Sequence, residues 1–501
     1  MWINLLVLAL LLAIYWIRQR FAYWKKRGVP FVSASFPHGN LAGVGKTRHI
    51  SQILQSCYQQ LKSSGRSFGG IYFFINPVVL LIDAEFIKTV LVKDFSYFHD
   101  RNFYHNDRDD PLSRHLVAME GSKWKNLRAK LTPTFTSGKM KMMFSTVTAV
   151  AEEFDRCMAN ELQGGSVVEM KDLLARFTTD VIGSVAFGLE CNSLKDPEVK
   201  FRVMGRKVFQ ASPYQAHKAF LSAQFPQIAR ALHVKLTQPD VEEFFMGVVK
   251  DTIEFRRSNN VQRNDFMTLL MKIMKEQVEH GEAETDSKDQ LTMDDIAAQA
   301  FVFFMAGFET SSTAMSFCLY ELALNQELQD KARENIKEVM KKHNTISYEA
   351  LYEMKYIEMC INESLRKYPP ATTITRRVEQ DYRVPGTDQI LQKGTMVAVP
   401  VYALHHDPEH FLNPERFDPE RFSAEQCEKR HPFAFLPFGG GPRICIGLRF
   451  GMMLARIGLV YLLKHFRFTL ASDKMSVPLQ ISPASPVLTI DGGLWLEVKR
   501  L

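Results

Sequence analysis

The run Phe438-Gly439-Gly440-Gly441-Pro442-Arg443-Ile444-Cys445-Ile446-Gly447 sets a cysteine in a glycine-rich turn, with an arginine two residues before it. A thiolate that is to reach the iron of a flat macrocycle must come from a loop whose backbone amides turn toward the sulfur. Glycines let such a loop fold tightly and come close to the ring. The amide donors tune the charge on sulfur, and that charge pushes electron density toward O–O cleavage. Arg443 is placed to meet a carboxylate of the macrocycle. Every fixed position of F-x-x-G-x-R-x-C-x-G is met, which an incidental cysteine in a glycine-rich loop rarely achieves.

Five other groupings carry possible chemistry. Ala306-Gly307-Phe308-Glu309-Thr310 puts small residues beside an acid and a hydroxyl. Glu363 and Arg366 stand at i and i+3, and Trp124 and Arg128 at i and i+4, so each pair shares one helix face. Arg376 and Arg377 follow ten residues later. A Pro-Glu-Arg-Phe segment occurs twice, at Pro414–Phe417 and Pro419–Phe422. Taken singly, each grouping is weak: the pairs read as surface contacts, and Thr310 reads as a hydroxyl bonding back to its own helix.

In this order and company the motifs make the chain resemble the cytochromes P-450 over its whole length. Phe301–Glu321 and Arg366–Thr375 most resemble the insect family-6 branch, rich in oxidisers of insecticides and plant toxins. The resemblance implies haem b with Cys445 as the axial iron ligand. It implies propionate contacts from Arg443, Trp124, Arg128 and Arg376, with Phe438, Gly439 and Ala306 bordering the ring. Thr310 is then expected to deliver protons, fed by Glu309. Glu363 and Arg366 become a buried structural pair joined by Arg421, with Arg416 as the other candidate. From the same resemblance the apolar pocket is expected around Phe95–Met119, Phe201–Phe225, Phe301–Phe308, Thr372–Ile374 and Ser482–Val487. No flavin- or nicotinamide-binding motif is present. NADPH is therefore expected to act through a separate NADPH–cytochrome P-450 reductase, with cytochrome b5 as a second candidate partner. Two other functions stand beside oxygen insertion into an apolar small molecule: a haem-thiolate isomerase or dehydratase, and a non-enzymatic haem-based carrier or sensor.

The elements that must position these residues are mainly helical. Leu291 to about Leu324 gives the longest helical pattern, opened by a Thr292–Asp295 capping box and apolar nearly all round, as befits a helix at the centre of a large protein. Strand signals are few: Gly70–Ile82, Gly394–Val401 and Val487–Val498, the last with a turn at Gly492-Gly493. Polar stretches at Ser258–Asn264 and Glu276–Gln290 read as surface loops. The expected fold is a single-domain P-450 fold, mainly α with a small β portion, behind an N-terminal membrane anchor.

Residues 1–17 read as that anchor, 18–37 as a basic, proline-containing hinge and 38–501 as the catalytic body. Met1–Ile17 is apolar but for Asn4, and Arg18, Arg20, Lys25, Lys26 and Arg27 follow it. Seventeen helical residues span about 26 Å, near the thickness of an endoplasmic reticulum bilayer. Charge after the apolar run, with no small-residue cleavage site, argues against a removed signal peptide and places the body on the cytosolic face. Trp2, Tyr15, Trp16 and Trp24 read as interfacial aromatics. The one Asn-x-Ser/Thr sequon, at Asn362, falls in a helical pattern, consistent with a body that never meets glycosylation.

Composition adds limits. Hydrophobic residues at 46% supply a large core, and a net charge of +7 without a dense basic block does not suggest nucleic-acid binding. The seven cysteines are odd in number and widely spaced, which fits a reducing compartment and neither a disulfide framework nor a zinc site. Gly43-Val44-Gly45-Lys46-Thr47 resembles the end of a phosphate-binding loop, but Asn40 stands where a glycine is needed.

Overall fold

A computed structural model describes residues 2–210, 212–279 and 291–501. The apolar run from Ile296 lies in a 32-residue helix, Met293–Leu324, capped as its sequence demands: Asp295 N–H donates to Thr292 Oγ1 at 3.2 Å and Thr292 N–H to Asp295 Oδ2 at 2.9 Å. This central helix is buried along most of its length. It packs against helices Met170–Ile182, Pro239–Ser258, Lys355–Lys367 and Leu448–His465, which together hold the main core. Gln299, a polar interruption, is fully buried. Its amide accepts from Leu116 N–H (2.9 Å) and donates to Arg114 O (3.1 Å), tying the 114–116 loop to the helix.

The small β portion consists of β1 (Phe68–Phe73), β2 (Asn76–Leu81), β3 (Val167–Glu169), β4 (Ile374–Arg377), β5 (Tyr382–Arg383), β6 (Ile390–Leu391), β7 (Met396–Val399), β8 (Phe466–Leu470) and β9 (Trp495–Arg500). One sheet runs β1-β2-β7-β4, with β2 and β7 parallel and the other pairs antiparallel. A second, antiparallel, runs β3-β9-β8, and β5 pairs with β6. The Gly492-Gly493 turn is present but does not join two strands of a hairpin. It leads into β9, whose partners β3 and β8 come from elsewhere in the chain. Of the two polar stretches, Ser258–Asn264 forms a loop apart from its first residue. Glu276–Glu279 ends helix Phe266–Glu279, and 280–290 lie outside the described residues.

Helix Trp2–Phe21 has no buried residue and is long and apolar enough to cross a membrane. It continues past Ile17 through Arg18 and Arg20. Much of the stretch set apart above as a hinge is packed on the body. Tyr72 Oη donates to Phe21 O (2.8 Å), and Phe31 bridges to Gly70. Trp24 is not an interfacial aromatic: it is 1% exposed, and its indole N–H donates to Ile71 O at 3.0 Å. Beside a basic cluster, an indole with one polar edge reads the same whether that edge meets a headgroup or a strand carbonyl. Gly70 makes room for it, since a Cβ there would meet the Trp24 ring at 2.4 Å.

A buried ion-pair network fixes the approach to the Cys445 loop. Arg366 grips Glu363 with two bonds, Nε to Oε2 (2.7 Å) and Nη2 to Oε1 (2.9 Å), and both residues have no solvent exposure. Arg421 joins through Nε to Glu363 Oε1 at 3.3 Å, and Asp418 N–H donates to the same oxygen at 2.9 Å. Arg416 contributes only its backbone carbonyl. The second Pro-Glu-Arg-Phe segment therefore supplies the side-chain partner.

Two outcomes follow from this packing. Gly70→Ala should lower stability by about 1–3 kcal/mol through overpacking against Trp24, seen as a lower thermal midpoint; an unchanged midpoint would mean that the indole moves freely. Arg366→Lys keeps the charge but loses the two-pronged grip on a buried carboxylate. A loss of about 3–5 kcal/mol is expected, measured as failure to accumulate folded protein, and normal accumulation would show that the network is dispensable.

Candidate active site

Cys445 stands on the loop before helix Leu448–His465, and its N–H donates to Phe438 O at 2.9 Å. The motif's fixed glycine has a steric reason. Gly441 sits at φ +68°, and a Cβ on it would lie 1.9 Å from Leu91 O. Gly439, at φ +76°, also needs the left-handed conformation. Burial pushes the Cys445 thiol up, against the Gly447 amide and the Arg101 and Arg128 guanidiniums, which favour the thiolate.

The thiol faces a cavity of about 390 Å³. Its opposite wall is the central helix, through Val302, Phe303, Ala306, Gly307, Thr310, Ser311 and Ala314. Trp124, Arg128, Arg376, Phe438, Gly439 and Arg443 all line it as well, so most of the residues singled out by motif meet at one place. Glu309 does not line it. Burial pushes that carboxyl up, with Lys171 opposing. Thr310 Oγ1 donates to Ala306 O at 2.5 Å, the bond back to its own helix that its type allows.

Strand geometry separates the two adjacent arginines, because successive side chains of β4 point to opposite faces. Arg376 faces the cavity, while Arg377 turns to Glu120 (2.9 Å), Glu379 (2.8 Å) and Asp100 (3.3 Å). Arg101, which no motif marked, also lines the cavity and donates to Arg443 O at 2.9 Å. Nothing in the spacing marks it. Its place is set by Arg377 N–H donating to Asp100 O (2.8 Å) and Thr375 Oγ1 to Arg101 O (2.9 Å), which dock its loop on β4.

Arg443 is held on several sides. Its Nε donates to His99 O (2.8 Å), its Nη2 to Asp100 Oδ1 (3.1 Å) and Met119 O (2.9 Å), and its guanidinium lies 3.9 Å from the centre of the Trp124 ring. Yet Arg443 Nη1 and Arg376 Nε are buried without a hydrogen-bond partner. No carboxylate lines the cavity among the described residues. Burial and the neighbouring Arg101 push Arg443 and Arg376 down to about 9, and burial pushes Arg101 down to about 10. Orphaned cationic donors around an apolar space call for a bound anion with an apolar body. A haem with its propionates fits that demand, with Cys445 as the thiolate donor.

The apolar wall departs in part from expectation. Phe103, Leu116, Val117, Phe303, Thr373 and Ile374 line the cavity, but no described residue of 201–225 or 482–487 does. Phe201 belongs instead to an aromatic cluster with Phe187, Phe244, Phe245 and Phe304. Phe135, Met143, Ile182, Val185, Ala186 and Phe266 also line it, and nothing in their sequence context distinguished them from core.

The sequence profile of the cytochrome P450 family matches residues 36–495. Cytochrome P450 6A1 of Musca domestica is 45% identical over 496 residues, 98% of this chain and 96% of that one. Cytochrome P450 6a2 of Drosophila melanogaster is 44% identical over 507 residues, 100% and 99% of the two chains. Probable cytochrome P450 6a14 of the same fly is 44% identical over 489 residues, 96% of each. A thiol on a glycine-rich loop, unpaired arginines around an apolar cavity and end-to-end similarity to these relatives agree: the chain belongs to the cytochrome P450 family and is a haem monooxygenase.

Proposed function

We propose that this protein oxidises apolar foreign molecules, insecticides and plant toxins among them, with endogenous steroids or hormones as the narrower alternative. Its electrons come from NADPH through a separate NADPH–cytochrome P450 reductase, with cytochrome b5 as a second donor. Helix Trp2–Phe21 anchors the body to the cytosolic face of the endoplasmic reticulum membrane, in keeping with the basic residues that follow the apolar run. The observation that carries the reading is that Cys445 and Thr310 face one cavity whose remaining wall, outside the arginine cluster, is almost entirely apolar.

Held by Cys445, haem b would supply the activation of dioxygen, so that RH, O2, two electrons and two protons give ROH and water. Arg443, Arg376, Arg128 and Trp124 would hold the propionates and fix the ring's rotation. Phe103, Phe303, Val302 and Ile374 would gather an apolar substrate and exclude water. Few polar groups face this region. Selection then rests on shape and apolarity, which discriminates weakly and suits breadth. Thr310 would serve as the proton donor at the cavity wall, which requires its hydroxyl to leave Ala306 O. Glu309, whose carboxyl burial pushes up, would resupply Thr310 from outside the cavity.

Thr310→Ala should keep NADPH oxidation while lowering coupled product formation by about tenfold or more, the difference appearing as peroxide; Thr310→Ser should restore coupling. Unchanged coupling in Thr310→Ala would remove the relay role. Optical titration of the ferric protein tests the substrate class. Conversion from the low-spin to the high-spin band is expected with unrelated insecticides and plant toxins. A response confined to steroids would establish the narrow role, and absence of NADPH-dependent oxygen uptake with every ligand would favour an isomerase or carrier.

A further inference from the structure

His405, at the end of the short helix Val401–His405, is fully buried and belongs to no motif used above. Both of its ring nitrogens meet backbone groups whose roles are fixed. Nδ1 lies 3.1 Å from Arg366 O, and a carbonyl only accepts. Nε2 lies 2.8 Å from Leu436 N, and an amide N–H only donates. The ring must therefore be the neutral tautomer with its proton on Nδ1. Burial, which pushes this imidazole well below its ordinary range, agrees. The Phe435 ring, 5.2 Å away and tilted by 30°, holds the imidazole in place.

The two ends of this bridge differ in kind. One is the backbone of Arg366, whose Nη1 donates in return to His405 O at 3.0 Å, so that the ion-pair network and His405 grip each other twice. The other opens the Cys445 loop. Leu436 lines the cavity, and its carbonyl accepts from Gly439 N–H at 3.0 Å. Phe438, between them, accepts the Cys445 N–H at 2.9 Å. From Arg366 to the sulfur-bearing residue the path is a series of backbone bonds, and His405 is its one side-chain link.

We infer that His405 is a positioning residue for the thiolate: it couples the Glu363–Arg366 pair to the Leu436 amide and thereby sets the loop from which Cys445 presents its sulfur. The inference rests on reading Cys445 as the haem ligand. Without the imidazole acceptor, the buried Leu436 N–H loses its partner. The turn through Gly439 is then free to shift, and the sulfur's amide environment, which keeps it a thiolate, shifts with it.

The test compares three variants of the full-length chain in membranes by the carbon monoxide difference spectrum of the reduced protein, which separates thiolate-ligated from neutral-thiol-ligated haem. In His405→Gln the amide oxygen reaches the Nε2 position and accepts from Leu436. His405→Asn reaches only the Arg366 side, and His405→Phe offers neither group. The expected result is a wild-type thiolate band in His405→Gln, and a neutral-thiol fraction raised roughly tenfold in His405→Asn and His405→Phe. The inference is overturned if His405→Asn retains the thiolate band, or if His405→Gln loses it as far as His405→Asn does. A merely structural role would give that second pattern, with haem content falling in step in both. Should His405→Phe fail to fold, the Gln and Asn pair decides alone. A wild-type protein without a thiolate band would instead sink the assignment of Cys445.

Discussion

Glu363 and Arg366 have no solvent exposure, so their charges depend entirely on partners within the protein. The carboxylate accepts from Arg366 Nε and Nη2, Arg421 Nε and Asp418 N–H, and the guanidinium also donates to His405 O and Pro414 O. These partners come from segments that are distant in sequence from the pair. Until those segments are in place the charges are stranded, and once they are in place the chain leading to Cys445 has one path. An apolar replacement of equal volume could match the stability of such a pair. It could not demand that residues 405, 414, 418 and 421 converge on one point.

The cavity presents the converse situation. Arg101, Arg128, Arg376 and Arg443 face it, and among the described residues Asp100 is the one carboxylate bonded to any of them. Their charged forms are disfavoured by burial and by one another. The protein's own residues therefore make an unbalanced cationic cluster that a dianionic ligand would relieve. Binding of such a ligand is coupled to the fold's stability, since it favours the folded chain over the unfolded one. The same imbalance orients the ligand, because the orphaned donors sit at one side of an otherwise apolar space.

How far the sequence could be read depends on whether chemistry or packing fixes a residue's type. Cys445, Arg443 and Gly441 are legible because the ligation proposed for the first, the charge of the second and a carbonyl 1.9 Å from a notional Cβ on the third each permit one kind of residue at a set spacing. Arg376 follows from the resemblance, with Arg377 beside it as a rival; once β4 is known, the two-residue alternation of a strand gives the physical reason. Arg101 and His405 were silent: each takes its role from backbone bonds to distant segments, and such bonds leave no trace in local spacing. The phenylalanines were ambiguous for another reason. Phe303 lines the cavity and Phe304 packs into the core with Phe201, although they are neighbours in an unbroken apolar run. Only the helix's rotation separates them.

That rotation also explains the acid and the hydroxyl. Phe303, Ala306, Gly307, Thr310 and Ala314 recur at helical spacing and form the stripe that faces the cavity. Glu309 lies about 100° around the axis from Thr310, so two adjacent residues meet different surroundings. The relay proposed for Glu309 would have to pass around the helix, by the turn built from Ala306 and Gly307. At that turn the packing is close, since a Cβ on Gly307 would meet Ile182 Cδ1 at 2.6 Å. On the inner side, Thr310 shares the Ala306 carbonyl, an acceptor that the helix itself also uses. Small residues at 306 and 307 thus do two things. They leave space at the cavity wall, and they let the helix pack closely at the turn where its backbone bonding is contested.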